Sequence, residues 1–194
     1  MKRLIIFASG SGSNAENIIR YFQKSDSVTV VQVLTNNKNA KVINRCKILN
    51  IKCLVFNRDA IYKDAKLIKT LKDQADYIIL AGFLWKIPQN FIEAFPNKIL
   101  NVHPALLPKF GGKGMYGMHI HEAVIKNNET ETGITIHYVN ENYDEGAIIF
   151  QAKVSLDKTD TAKTVAKKIQ TLEMEHFPKV IERVVLENIL APKK

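Results

Sequence analysis

Short apolar runs, many of them β-branched, alternate with longer mixed stretches through the first hundred residues. Runs at 4–8, 28–34, 52–56, 77–80 and 99–102 have the length and composition of strands. Between them, 14–22, 40–49, 61–72 and 88–94 space their apolar residues as helices do. Strand–helix alternation of this kind predicts βαβ units and a parallel sheet covered on both faces. Beyond Val102 the pattern changes to a glycine-rich loop, a short helix at 120–126, and two strands at 133–139 and 147–154 joined by a polar turn. A long helix follows from Thr161. The predicted class is α/β: an open, mostly parallel twisted sheet with helices on both faces and an antiparallel edge near the C-terminal end. Residues 1–190 read as one domain and 191–194 as a short tail.

Length agrees, since 194 residues fit one domain at ~150 residues per domain. Cys46 and Cys53 match neither a disulfide framework nor a C-x-x-C pair, and the natural expectation is a reducing, cytoplasmic setting. The apolar run after Met1-Lys2-Arg3 stops short of the ~7 residues of a signal-peptide core, and nothing approaches the ~18 of a membrane span. Secreted and membrane classes are therefore not expected. Charge is the unusual bulk property: 28 Lys and Arg against 19 Asp and Glu give +9. That balance favours anionic partners. The lysines are nonetheless dispersed, and no aromatic-plus-basic repeat offers a base-stacking surface, so a nucleic-acid partner is not expected.

In open α/β sheets ligands bind outside the carboxyl ends of the strands. Three segments there carry capable side chains. Ser9-Gly10-Ser11-Gly12-Ser13-Asn14-Ala15 follows the first strand and opens a helix. Its glycines permit a tight turn, and free N–H groups at a helix start attract an anion. Ser13 or Asn14 could instead simply cap the helix. The spacing also fits G-x-G-x-x-A, but a dinucleotide needs an acidic residue after the second strand, where Thr35-Asn36-Asn37-Lys38 has none. A phosphate monoester is the better guest.

Asn101-Val102-His103-Pro104 ends the fifth strand, and period-two alternation puts Asn101 and His103 on one face. An amide donor beside an imidazole suits a carbonyl reaction, one steadying an oxyanion and the other moving a proton. The polar turn from Tyr138 to Gly146 supplies carboxylates that could orient a histidine and favour its charged form, or could be an ordinary Asp-x-Gly turn. His119-Ile120-His121-Glu122 clusters metal-type residues without a third-ligand pattern such as H-E-x-x-H. His137 and His176 read as isolated structural histidines, and the glycine loop is no G-x-S-x-G elbow.

Together these segments resemble the glycinamide-ribonucleotide branch of the folate-dependent formyltransferase family, in unbroken order to about Val185. The most specific pieces are Asn101-Val102-His103-Pro104-Ala105-Leu106-Leu107-Pro108 and Gly133-Ile134-Thr135-Ile136-His137-Tyr138-Val139 continued to Asp144-Glu145-Gly146. The resemblance implies a Rossmann-like formyltransferase fold. It implies transfer of the formyl group of 10-formyltetrahydrofolate to the amine of glycinamide ribonucleotide, in purine (IMP) synthesis, with no metal. Catalysis falls on Asn101, His103 and Asp144. Gly12, Ser13, Asn14 and Glu173 correspond to the ribonucleotide site. Folate contacts carry over to Leu84, Trp85, Lys86, Ile87, Asn101, Asn140, Glu141, Asn142, Tyr143 and Asp144, with Arg58 near the folate-tail arginine at an offset of one residue. Two departures stand out: Trp85-Lys86 replaces an arginine-containing version, and the loop Gly111–Met118 is longer than the usual link.

The expected partners are small molecules, with the chain a monomer or homodimer. The neighbouring methionyl-tRNA formyltransferase and formyltetrahydrofolate deformylase would each carry an additional domain for which this length leaves no room. A non-catalytic nucleotide-binding protein would explain the glycine loop but leave Asn101, His103 and Asp144 without a purpose.

Overall fold

A computed structural model describes residues 1–187, so the tail expected at 191–194 and the last residues of the predicted domain lie outside the described residues. Seven strands form one sheet in the order β3-β2-β1-β4-β5-β6-β7. The first five, β1 (Lys2–Phe7), β2 (Val28–Thr35), β3 (Cys53–Val55), β4 (Tyr77–Leu80) and β5 (Ile99–His103), pair in parallel. The last two, β6 (Glu131–Tyr138) and β7 (Ile148–Ser155), add antiparallel, which is the expected mixed edge.

Burial on both faces explains the near-continuous apolar strands. Along the central β1, Leu4 and Ile6 join one core with helices α1 (Ser13–Phe22), α2 (Val42–Ile48) and α7 (Ala162–Glu187). Ile5 and Phe7 join the opposite core with α3 (Arg58–Tyr62), α4 (Ala65–Gln74) and α5 (Gln89–Ala94). Helix α6 (Met118–Lys126) makes a smaller cluster in which Ile120 and Val124 meet Ala105.

One expected helix divides in two. The stretch 61–72 reads as continuous, yet Asn57 Oδ1 accepts from Ala60 N at 2.9 Å and Asp64 Oδ1 from Lys66 N at 2.8 Å. Each side chain starts its own helix by satisfying an otherwise unpaired N–H, so the chain breaks at Lys63-Asp64.

Helix α7 contains Pro178, whose missing N–H leaves the carbonyl four residues earlier, at Met174, without its helical donor. Asn17 of α1 supplies the replacement, its Nδ2 donating to Met174 O at 2.8 Å. One turn away Asn14 Nδ2 donates to Glu173 Oε2, also at 2.8 Å. Two side chains of α1 thus pin the middle of α7 beside the loop that follows β1. That loop lies between β1 and β4, where the strand order reverses, the usual place for a crevice in such sheets.

Candidate active site

The loop after β1 is held from behind. Val42 N donates to Gly10 O at 3.2 Å, Arg45 Nε to Ser11 O at 2.8 Å, and the Arg45 guanidinium also pairs with Glu16. Gly12 precedes α1 with φ 73°, and a Cβ there would overlap the Val42 side chain. Both facts demand glycine. Neither Ser13 nor Asn14 caps the helix: no side chain bonds to the first-turn amides. Ser13 reaches only the Ser11 hydroxyl at 3.5 Å, and Asn14 is turned to Glu173. The capping alternative is therefore overturned, and the N–H groups at the start of a ten-residue helix stay open to an anion.

On β5, Asn101 and His103 share a face as expected. Antiparallel register sets Asn101 opposite His137 of β6, and Asn101 Nδ2 lies 3.1 Å from His137 Nε2. His137 Nδ1 lies 2.8 Å from Tyr138 O. A carbonyl only accepts, so Nδ1 carries the proton and the Nε2 lone pair receives the Asn101 amide. That fixes which end of the amide faces His137 and leaves its second N–H free.

His103 is similarly oriented. Its Nε2 donates to Phe110 O at 2.8 Å, turning Nδ1 toward Asp144 Oδ2 at 3.5 Å. Asp144 Oδ2 also accepts from Gly112 N at 3.0 Å, and Oδ1 lies 3.8 Å from His137 Nε2. The carboxylate thus anchors the glycine-rich loop through Gly112 and stands beside both histidines. Asp144 adopts φ 56°, a left-handed conformation that Asp tolerates better than most residues. Gly146 closes the turn where any Cβ would strike the Tyr138 carbonyl.

Burial is the largest influence on His103 and His137 and holds both below the ordinary histidine range. Asp144 pulls His103 the other way but does not prevail. The pull of the carboxylate toward the charged form thus has the expected direction, but burial is the larger effect. Burial also raises the Glu173 carboxyl, with Asn14 donation opposing.

Two cavities meet here. The larger, about 650 Å³, runs from Gly12, Ser13 and Asn14 past Glu173 of α7 to Asn101, His103 and Asp144. The smaller, about 70 Å³, is lined by Leu84, Trp85, Lys86, Ile87, Asn140, Asn142 and Tyr143. Phe83, Leu84, Asn101, Tyr143 and Asp144 belong to both. The structure therefore gathers the trio and the two ligand sets assigned by resemblance around one junction. Two residues fall outside. Glu141 is exposed and lines neither cavity. Arg58 also lines neither, its guanidinium stacking over Tyr62 at 5.3 Å and Trp85 at 5.7 Å.

Other residues stand at the site as well. His137 is not an isolated histidine, but only the β5–β6 register reveals its contact with Asn101. His119 and His121 part company on α6. His119 is exposed, whereas His121 is buried against the larger cavity with Nδ1 lacking a partner. Lys113, Met115 and Tyr116 of the long loop line that cavity too.

The profile of the formyl transferase family matches residues 2–181. The chain is 37% identical over 196 residues to a chloroplastic phosphoribosylglycinamide formyltransferase of Arabidopsis thaliana, covering 97% of this chain and 67% of that protein. It is 32% identical over 191 residues to the phosphoribosylglycinamide formyltransferase of Bacillus subtilis, covering 95% of each. Against a second plant relative, from Vigna unguiculata, it spans 62% of the length. Among solved structures, phosphoribosylglycinamide formyltransferase from Bacillus halodurans superposes with a TM-score of 0.84 at 35% identity, over 99% of this chain and 100% of that one. The Anaplasma phagocytophilum enzyme gives 0.85 at 32% identity, over 96% and 88%.

Proposed function

The chain belongs to the formyl transferase family, and from that premise we propose that it transfers the formyl group of 10-formyltetrahydrofolate to the amine of glycinamide ribonucleotide, a step of purine synthesis. The observation that carries this reading is the junction of the two cavities at Asn101 and Asp144, beside His103. Two ligands entering from opposite sides would meet where an oxyanion donor and a proton carrier stand together.

The phosphate goes to the open amides at Gly12, Ser13 and Asn14, and the ribose hydroxyls to Glu173. The reduced pterin enters the apolar slot beside Leu84, Trp85 and Ile87. That slot is far smaller than the ~300 Å³ of ordinary ligand sites, so folate entry displaces rim side chains such as Leu84, which is 55% exposed.

In the reaction the amine nitrogen bonds to the formyl carbon and the carbonyl oxygen becomes an oxyanion. The free N–H of Asn101 donates to it, held in place by His137. Protonated His103 adds positive charge, its Nδ1–H then directed at Asp144. Breaking the bond from the formyl carbon to the folate nitrogen releases tetrahydrofolate, and the proton given up by the amine ends on that nitrogen. For His103 to relay it through Nε2, that nitrogen must leave the Phe110 carbonyl.

Among the described residues no helix is long and apolar enough to cross a membrane, and a cytoplasmic location belongs to the proposal. The test is release of deformylated folate with and without glycinamide ribonucleotide. Release that requires the amine supports transfer. Equal release without it would make the chain a hydrolase and overturn the reading.

A further inference from the structure

His121 lines the larger cavity yet has no part in the chemistry above. The residue is 6% exposed, and its Nδ1 is sealed from solvent with no hydrogen-bond partner. With Nδ1 sealed, Nε2 is the ring nitrogen left to meet the cavity that His121 lines. Burial, and the neighbouring His103, hold the ring below the ordinary histidine range, so it is neutral and carries one N–H. A sealed N–H without an acceptor is rarer in proteins than an unsatisfied lone pair. The proton therefore belongs on Nε2, and the ring offers the cavity one donor.

What that donor meets follows from its place. Helices α1 and α6 both pack on α7, whose Ala166, Ile169, Gln170 and Glu173 form the cavity wall between them. Asn14 and the open amides stand at the α1 end, while His121 stands at the α6 end beside His103. A substrate with its phosphate on α1 and its reacting amine at His103 brings its glycinamide arm past His121. The acceptor on that arm is the amide carbonyl oxygen, two carbons from the amine nitrogen.

We propose that His121 is a substrate-binding residue, its Nε2–H donating to the amide carbonyl of the glycinamide arm and so aiming the amine at the formyl carbon. This rests on the ribonucleotide reading of the cavity. It gives the site a means of distinguishing an acylated arm from a bare amine: without the carbonyl, a buried donor is left unpaired.

The test uses the full chain labelled with ¹⁵N-histidine and titrated with glycinamide ribonucleotide alone. The expected result is a neutral His121 protonated on Nε2, whose Nε2 resonance moves on saturation. In kinetics, His121→Leu should raise KM for the ribonucleotide about 10-fold, the size of one lost neutral hydrogen bond, with KM for the folate unchanged. His121→Asn, which keeps a donor, should recover part of the loss. A ring protonated on Nδ1, an Nε2 signal indifferent to the ribonucleotide, or equal rises in both KM values would overturn the proposal. The titration reads binding without turnover. A chain that binds the ribonucleotide at His121 but transfers no formyl group would sink the functional reading and leave this contact standing.

Discussion

Asp144→Asn separates charge from geometry at the junction. The asparagine Oδ1 can still accept from Gly112 N, now bonded at 3.0 Å, and its Nδ2 can donate to the Nδ1 lone pair of neutral His103. The loop and turn should therefore stay in place, and Asn is among the residues that tolerate the left-handed backbone at φ 56°. The stabilisation of a charged His103 is what disappears. A carboxylate and an imidazolium 3.5 Å apart attract by about 5 kcal/mol at an effective dielectric of ~20, which is the ceiling. The neutral hydrogen bond that replaces it contributes about 1 kcal/mol and favours the uncharged ring. After allowing for partial solvent screening, a net loss of about 3 kcal/mol corresponds to a roughly 10²-fold fall in kcat. The acidic limb of the pH–rate profile should move to lower pH while the melting temperature holds. Single-turnover folate release across pH measures the first two, and thermal unfolding the third. A profile that stays where it was, at a reduced rate, would show that Asp144 acts through its turn rather than its charge. The double variant with His103→Ala should be little slower than the slower single variant, and fully additive losses would refute the pairing.

Asn101→Ala should lower kcat by ~10²–10³ with little change in either KM. A raised KM at unchanged kcat would make Asn101 a binding contact instead. At the glycine loop, Gly12→Val should weaken both ligands and lower the melting temperature, because the new side chain meets Val42 and forces a left-handed residue. Gly10→Ala, with nothing within 4 Å of the added carbon, should keep the fold and weaken only the ribonucleotide; an equal loss of folate binding would place the phosphate elsewhere. Acid should unfold the protein early. His103, His121 and His137 are depressed below the unfolded value of 6.5, so the unfolded chain binds more protons in that range. Their stability is present above that value and is lost as pH falls through the folded values. The slope is at most about 4 kcal/mol per pH unit for three protons, and chemical denaturation at stepped pH would expose a flat profile as a contradiction.

Much of the fold was readable because burial on two faces writes itself as short apolar runs. The five parallel strands and the antiparallel edge fall where those runs lie. The divided helix at 58–74 was harder, since its apolar spacing runs through the break. Only the side chains of Asn57 and Asp64, competing for backbone N–H groups, decide that two helices start there. Pro178 is the reverse case. The long helix expected from Thr161 runs through it, and what the residues do not show is that Asn17, far away in sequence, donates to the carbonyl that the proline leaves free. Local rules fail where a partner arrives from another element.

The same distinction governs the site. Asn101 and His103 are legible together because a strand's own period aligns them. His137 is invisible until β6 is set in register against β5, when it becomes the group that fixes the Asn101 amide. The balance of influences on His103 was only half legible. The pull of Asp144 came with the family resemblance, but the depth of burial could not be read from the residues, and burial is the larger effect. That balance bears on the proposed chemistry. In the proposed reaction, an imidazole that becomes charged only as the oxyanion develops concentrates its stabilisation on the reacting state, as a catalytic group must. A histidine already charged before the reaction would have spent that interaction on the ground state.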